Sequence, residues 1–540
     1  MKKKLLSALL ALCLLASLPA CGSSKTQTNG QSAGTSNASG SSGYQTSGTV
    51  VEEVSALSDA FADGDYKDVS GETPDATITL SGSAGTLSDT TRGSSGSEVT
   101  ITSKGIYRVT GSSDGVAIVI NDSTESGNVY LVLDGVTMTN TDACIRVEAC
   151  DKLVIQCVGD NSLTSTDLTG DEDGVIFARD DVKITGAQVT IEADSIGIQA
   201  NESVRIGGGT LSITSGHDGV QVENDALDGY FYLESGSVTI RAGYDGVDAA
   251  GAVTLAGGSL EITAGTDSSQ SDASQKGVKA GGDICVGAAE LTVTSTDDAL
   301  HSAATVSVTD GTLTLSSGDD GIHADSVLSI SGGSVTVTQS YEGLEAYEVN
   351  VSGGQISVTA SDDGVNAAGG SDSASSEQGP WGSASGTLTF SGGTLYVNAQ
   401  GDGLDSNGSL YVTGGTVIVE GPTNGGNGAL DKGDGSGCVA SITGGTVLAI
   451  GTADMAVNFD SGTQCSALVS LSGSAGTTIT VSDGFRFTAT KSFACVVYSS
   501  PALQQGGTCT ITAGDSSATA DFTSGLYYSN VSGMGGFGRP

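Results

Sequence analysis

Basic residues, proline and tryptophan are all scarce in this chain, and each shortage narrows what it can be. Lysine and arginine number 20 against 62 aspartates and glutamates, a formal net charge of −42. With the leader's three lysines set aside, 17 basic residues face the same 62 acids. Such a surface repels nucleic acid and anionic lipid and attracts divalent cations instead. Proline occurs 6 times and the 82 glycines follow no G-X-Y triplet, which excludes a collagen-like rod. The repeated region has no helical periodicity and no long crossover, which leaves strands and turns. No CxxC metal pair, Ser/His/Asp arrangement, phosphate loop or dinucleotide fingerprint stands out. Apart from Cys13 and Cys21, the cysteines are 144, 150, 157, 285, 438, 465, 495 and 509. Several sit in apolar-alternating runs as expected buried thiols, while a Cys495–Cys509 or Cys438–Cys465 bridge stays open.

What the chain does have is a repeat. It runs "DGVQV" from Asp218, "DGVDA" from Asp245, "DALHS" from Asp298, "DGIHA" from Asp320, "EGLEA" from Glu342, "DGVNA" from Asp363 and "DGLDS" from Asp402. The central Gly, or its Ala equivalent, falls at 197, 219, 246, 277, 299, 321, 343, 364 and 403. Most steps are 21 or 22 residues, and steps of 27, 31 and 39 carry loop insertions. A fixed period in this range signals a solenoid. Each unit holds short strands of period-2 alternation split by a Gly pair, as in Val327–Ile330, Gly332-Gly333 and Val335–Val337. Glycine at such a bend permits positive φ. Laps of about 22 residues stacked ~4.8 Å apart predict an all-β parallel β-helix. An antiparallel sandwich would not need equivalent residues at constant spacing.

Residues 1–20 form an expected export signal, with a basic start, an apolar stretch from 5 to 18 and a Leu18-Pro19-Ala20-Cys21 ending. That ending resembles a bacterial lipobox and implies diacylation of Cys21. The expected location is extracellular, anchored to the outer face of the cytoplasmic membrane. Residues 21–50 read as a Ser/Gly-rich flexible tether. Residues 51–171 read as an N-terminal lead-in and irregular opening coils, 172–465 as the regular β-helix, and 466–540 as a C-terminal cap and tail. Residues 369–386 form a loop inserted into one lap.

Stacking turns residues of equal phase into columns. One contains Asp218, Asp245, Lys276, Asp298, Asp320, Glu342, Asp363 and Asp402. Three residues on lies a second: Gln221, Asp248, Lys279, His301, His323, Glu345, Asn366, Asp405 and Asp431. Asp297, Asp319 and Asp362 form a third. The intervening aliphatics should point inward and the second column outward. Two carboxylates one coil apart repel by about 1 kcal/mol in bulk water and by more at a protein surface. Ca²⁺ would relieve such a ladder, since hard cations take clustered carboxylate oxygens. The acids could instead simply form Asp-Gly turns. Lys276 and Lys279 interrupt the acidic series. They could neutralise acids above and below, or serve as the base of a β-elimination. His301 and His323, one coil apart, are candidate ligand-binding positions, but His217 lies at another phase and no third zinc ligand is legible. Trp381, the single tryptophan, could stack on a sugar ring.

The segments "LVLDGVTMTNTDACIRVEACDKLVI" (131–155), "RDDVKITGAQVTIEA" (179–193), "VVYSSPALQQGGTCTITAG" (496–514) and "DAFADGDY" (59–66) complete a pattern with the repeats. In this order they resemble the secreted bacterial carbohydrate-binding β-helix family known from cell-surface proteins of clostridia. The resemblance covers roughly 59–530. It implies a polysaccharide-lyase-like, right-handed β-helix that binds Ca²⁺, cellulose and acidic sugars such as polygalacturonate. Carried over by position, its motif acids are Asp218, Asp245, Asp298, Asp320, Asp363 and Asp402, with partners Asp248, Glu345 and Asp405. The Lys276/Lys279 lap, the "DALHS" variant and the 369–386 insertion depart from it. The expected function is a monomeric, surface-tethered, Ca²⁺-dependent polysaccharide-binding protein. The alternatives are a Ca²⁺-dependent pectate-type lyase and a structural adhesin without sugar affinity.

Overall fold

Alternation along each short strand buries one side and wets the other. In Thr312–Ser316, Leu313 and Leu315 are buried while Thr312 and Thr314 are exposed. A computed structural model describes residues 67–168, 173–224, 226–269, 273–368 and 386–528. Cys21, the leader, the tether, Trp381 and nearly all of the 369–386 insertion lie outside the described residues. Among the described residues there is no helix.

The buried side chains form continuous columns because each strand pairs in parallel with its equivalent one coil later. The register runs Val220↔Val247↔Val278↔Leu300↔Ile322↔Leu344↔Val365↔Leu404. Leu300, Ile322 and Leu344 are 22 residues apart, the period expected. A second parallel sheet stacks Val253–Leu255 on Ile284–Val286 and then Thr305–Val308. A third stacks Ser259–Thr263 on Glu290–Thr294 and then Thr312–Ser316. Each lap therefore contributes one strand to each of three sheets, and the chain is a parallel β-helix. Insertions leave this register intact, since Val365 pairs with Leu404 across the longest of them.

Two kinds of glycine make the lap possible. The second Gly of the bend pairs adopts positive φ, +75° at Gly333 and +82° at Gly354, where an L side chain would be strained. The Gly after most ladder acids, where Ala299 is the exception, serves another purpose. A Cβ on Gly246 would lie 2.5 Å from the Gly277 carbonyl oxygen of the next coil and would strike Ile262. Close stacking of coils, rather than turn geometry, excludes side chains there.

Parallel pairing begins with Ala76–Gly82 against Gly105–Asp114, ahead of the regular repeats. At the other end the direction changes. Ala440–Gly451 pairs antiparallel with Cys495–Ser499, and four strands between 478 and 521 form a separate antiparallel sheet. These cover a second core that includes Leu448, Ile450, Phe493, Tyr498 and Phe522. All eight described cysteines are free, so neither bridge left open above is present.

The close-stacking role of glycine is testable at Gly364, where a Cβ would lie 2.7 Å from the Gly403 carbonyl and strike Val397. Gly364→Val is expected to destabilise the fold by about 1–3 kcal/mol, as overpacking does. Denaturant melts followed by circular dichroism would read it, and an unchanged midpoint would contradict the stacking argument.

Candidate cation and glycan site

Five of the ladder acids are turned toward the following coil. Asp218 Oδ1 accepts the Asp245 backbone N–H at 2.9 Å, and Asp298 Oδ1 accepts that of Asp320 at 2.9 Å. Asp245 Oδ1 accepts the Lys276 N–H at 2.6 Å and the Ser274 hydroxyl at 2.9 Å. Asp363 Oδ1 accepts the Asp402 N–H at 2.6 Å, and Asp402 Oδ1 that of Gly428. At the lap where Lys276 replaces the acid, Asp297 Oδ1 accepts the Asp298 N–H at 3.0 Å instead. Each of these carboxylates thus spends one oxygen satisfying a backbone donor that would otherwise be buried without a partner. Its second oxygen is left for other work.

The second column is in the expected register, Gln221↔Asp248↔Lys279↔His301↔His323↔Glu345↔Asn366↔Asp405. Asp431 follows through the Leu404↔Leu430 bridge. The ladder divides into two electrostatically different stretches.

In the first stretch the protein supplies its own cations, although burial still lifts Asp218 to about 8 and raises Asp245 and Asp320 above the ordinary carboxylate value. Lys276 Nζ donates to Asp298 Oδ2 at 2.7 Å and Asp297 Oδ1 at 3.0 Å. Lys279 Nζ donates to Asp248 Oδ2 at 2.9 Å and lies 3.5 Å from Asp245 Oδ2. Burial opposes charge on both lysines, but the adjacent aspartates outweigh it and hold both pKa values above the ordinary lysine value. Burial likewise opposes charge on Asp298, yet His301 and Lys276 draw its pKa down to about 2. An ammonium kept protonated by two carboxylates is a poor proton acceptor, so these lysines serve as fixed countercharges. His323 was expected to face solvent. It leaves its strand outward but is only 2 % exposed, flanked by acids of its own lap and of the next. Burial opposes its charge, and Asp320 and Glu345 outweigh burial and lift its pKa to about 11.

In the second stretch those countercharges are missing. Burial, then mutual repulsion, lifts Asp363 to about 6, Asp402 to about 8 and Asp405 to about 7. Burial and Glu345 lift Glu342 to about 8. Among the described residues no lysine, arginine or histidine pairs with Asp363, Asp402 or Asp405. These three offer carboxylate oxygens that all lie within 4.8 Å of one another. Asn366, the ladder neighbour of Asp405, donates through Nδ2 to Glu342 Oε2 at 2.8 Å. Its Oδ1 is buried with no hydrogen-bond partner. A converging set of oxygens with an orphaned amide carbonyl beside it fits a hard cation such as Ca²⁺. A side chain at Gly401 would fall on the carboxylates of Asp362 and Asp363.

Beside the ladder runs the residue immediately preceding each acid, and here the pattern holds more than the aspartates 297, 319 and 362. His217 and Tyr244 occupy the same phase and stack at 4.6 Å. Tyr341 follows Asp319, its N–H bonded to the Asp319 carbonyl at 2.8 Å. Tyr341 is 48 % exposed, and Asp362 beside it raises the pKa of its hydroxyl. A trough of about 420 Å³ is lined by Tyr341, Asp319, Asp297, Gln275, Thr296, Gly318 and Ala273. An exposed ring with acids and an amide alongside is suited to stacking under a sugar while its hydroxyls are bonded. The tyrosines sit at the phase before the ladder acid, a signal present in the sequence but passed over there.

A parallel β-helix carrying an acidic ladder is the class these observations define. The model of a family described as carbohydrate-binding domain-containing proteins matches residues 95–187, 159–321 and 318–516, well over half of the chain. The chain belongs to that family. Among solved structures, a gadolinium derivative of the polysaccharide lyase-like protein from C. thermocellum aligns with 24% identity and a TM-score of 0.37. The alignment covers 47% of this chain and 96% of that one. No curated protein matches the chain.

The cation-poor stretch generates a pH prediction. Its acids have raised pKa values when folded, so the folded chain holds more protons than the unfolded chain and stability falls as pH rises. The loss begins near the unfolded carboxylate value of about 4. It is complete once pH has passed the folded values of about 6 to 8. Chelator-treated protein is expected to melt at lower temperature above this window than below it. Ca²⁺ should restore the melting temperature only on the alkaline side, and Asp402→Asn should flatten the profile. A calorimetric profile that rises with pH across this window would contradict the assignment.

Proposed function

We propose that this protein binds acidic polysaccharide through Ca²⁺ held at the Asp363–Asp402–Asp405 end of the ladder. The observation that carries this reading is the oxygen cluster without a countercharge among the described residues, together with the unpartnered Oδ1 of Asn366, the register partner of Asp405. A Ca²⁺ there keeps coordination positions for a ligand carboxylate, because it takes six to eight oxygens. Uronate polymers such as polygalacturonate supply such groups in series. The Tyr341 trough lies on the same edge of the coils and provides the stacking surface. Membership of a carbohydrate-binding family supports a glycan ligand in general; the acidic ladder is what favours a uronate. A lipid anchor at Cys21 and the 21–50 tether would present the β-helix, as a monomer, outside the cytoplasmic membrane.

The reading is tested by retention on immobilised polygalacturonate. Ca²⁺ is expected to support retention and EDTA to abolish it, and Asp402→Asn with Asp405→Asn should mimic EDTA. Binding indifferent to EDTA would overturn the Ca²⁺ bridge. Tyr341→Ala should weaken binding about tenfold, equivalent to roughly 1.4 kcal/mol. Tyr341→Phe should retain most of it, and equal affinity for the Ala variant would remove the ring from the glycan site.

A further inference from the structure

His323 stands where acids of its own and the following coil converge. Its Nδ1 is 3.0 Å from Asp320 Oδ2 in its own lap and 2.9 Å from Glu345 Oε2 in the next. Its Nε2 is 3.2 Å from Asp325 Oδ1. His301, one coil earlier, stacks on it with ring centroids 4.7 Å apart, and His301 Nδ1 is 2.8 Å from Asp298 Oδ2. Two triads share this imidazole: Asp320–His323–Glu345 and Asp298–His301–His323. In each, one ligand atom per residue lies within 4.8 Å of the others.

We propose that Asp320, His323 and Glu345 form a site for a divalent transition metal of the Zn²⁺ class, separate from the all-oxygen Ca²⁺ site. Three features of the geometry point there. The Nδ1–oxygen separations of 2.9 and 3.0 Å converge the three donors so that each separation need open by only about 0.4 Å to reach the edge of a tetrahedron with metal–ligand bonds of about 2.0–2.1 Å. The opposite ring nitrogen is engaged by Asp325, and a carboxylate behind a ligating histidine fixes its tautomer and raises its basicity. The imidazole nitrogen distinguishes the metal, because mixed nitrogen and carboxylate donors suit zinc-type ions while Ca²⁺ prefers oxygen alone. Zn²⁺ binds the deprotonated ligands, so its uptake competes with protons. The donors come from two coils, 22 residues apart between His323 and Glu345, which is why no zinc spacing is legible along the chain.

The experiment is titration of the full chain with Zn²⁺ in the presence of millimolar Ca²⁺, followed by calorimetry and metal analysis. One Zn²⁺ is expected to bind with proton release. His323→Gln and Glu345→Gln should abolish binding, Asp325→Asn should weaken it about 10–100-fold, and Asp402→Asn should leave it unchanged. Absence of Zn²⁺ uptake over the Ca²⁺ background, or uptake unchanged in Glu345→Gln, overturns the proposal. Should the variants misfold, Co²⁺ added to the unaltered chain decides it. A tetrahedral spectrum with nitrogen ligation supports the site, and an octahedral all-oxygen spectrum refutes it. Polygalacturonate retention, measured in parallel, reports on the Ca²⁺ reading alone, so either proposal can fail without the other.

Discussion

Coil-to-coil register is the constraint on which the rest depends. Leu300, Ile322 and Leu344 lie directly over one another, and the residue after each inherits the same alignment. The hydrophobic column and the acidic ladder are therefore consequences of one backbone pairing. Burying the aliphatics forces acids from distant parts of the chain to become neighbours. Their repulsion has to be relieved by something placed within a few ångströms. The carboxylate oxygens that cap the next coil's N–H groups reinforce that same pairing, so the charged side chains help hold the alignment that crowds them.

Relief takes different forms along the axis. Around Asp245 and Asp298 it is covalently built in, as Lys276 and Lys279. Around Asp320 and Glu345 it is an imidazole, and from Asp363 to Asp405 among the described residues there is no countercharge. The ladder thus differs along its length in whether a basic side chain lies beside its acids, as it does at Asp298 and Asp248 but not at Asp363, Asp402 or Asp405 among the described residues. Substituting a single ladder position is enough to move a coil between these conditions, which makes the ladder adaptable without disturbing the core.

Much of the architecture was legible in the residues, because a strict period leaves few alternatives. The phase of Val220, Val247 and Leu300 and the outward second column follow from alternation alone. Other features were not. Asp-Gly reads equally well as a turn or as a cap-and-stack unit, and only inter-coil bonds such as Asp218 to Asp245 N–H separate the two. The burial of His323 was not legible because, beside Asp320 and Asp325 of its own lap, it is packed against Glu345 across a lap boundary. Tyr341 was passed over because its exposure depends on the small residues beside it, Gly318 and Ala273 among them. The possible bridges of Cys438, Cys465, Cys495 and Cys509 failed because spacing along a chain carries no information about facing side chains.

The reversal of strand direction at Ala440–Gly451 has a consequence for the molecule as a population. A parallel stack that ended bare would offer its last rung as a template to any identical chain, inviting end-to-end fibrils. Pairing Val447–Gly451 with Cys495–Ser499 in the opposite sense occupies that part of the rung and withdraws it as a parallel template.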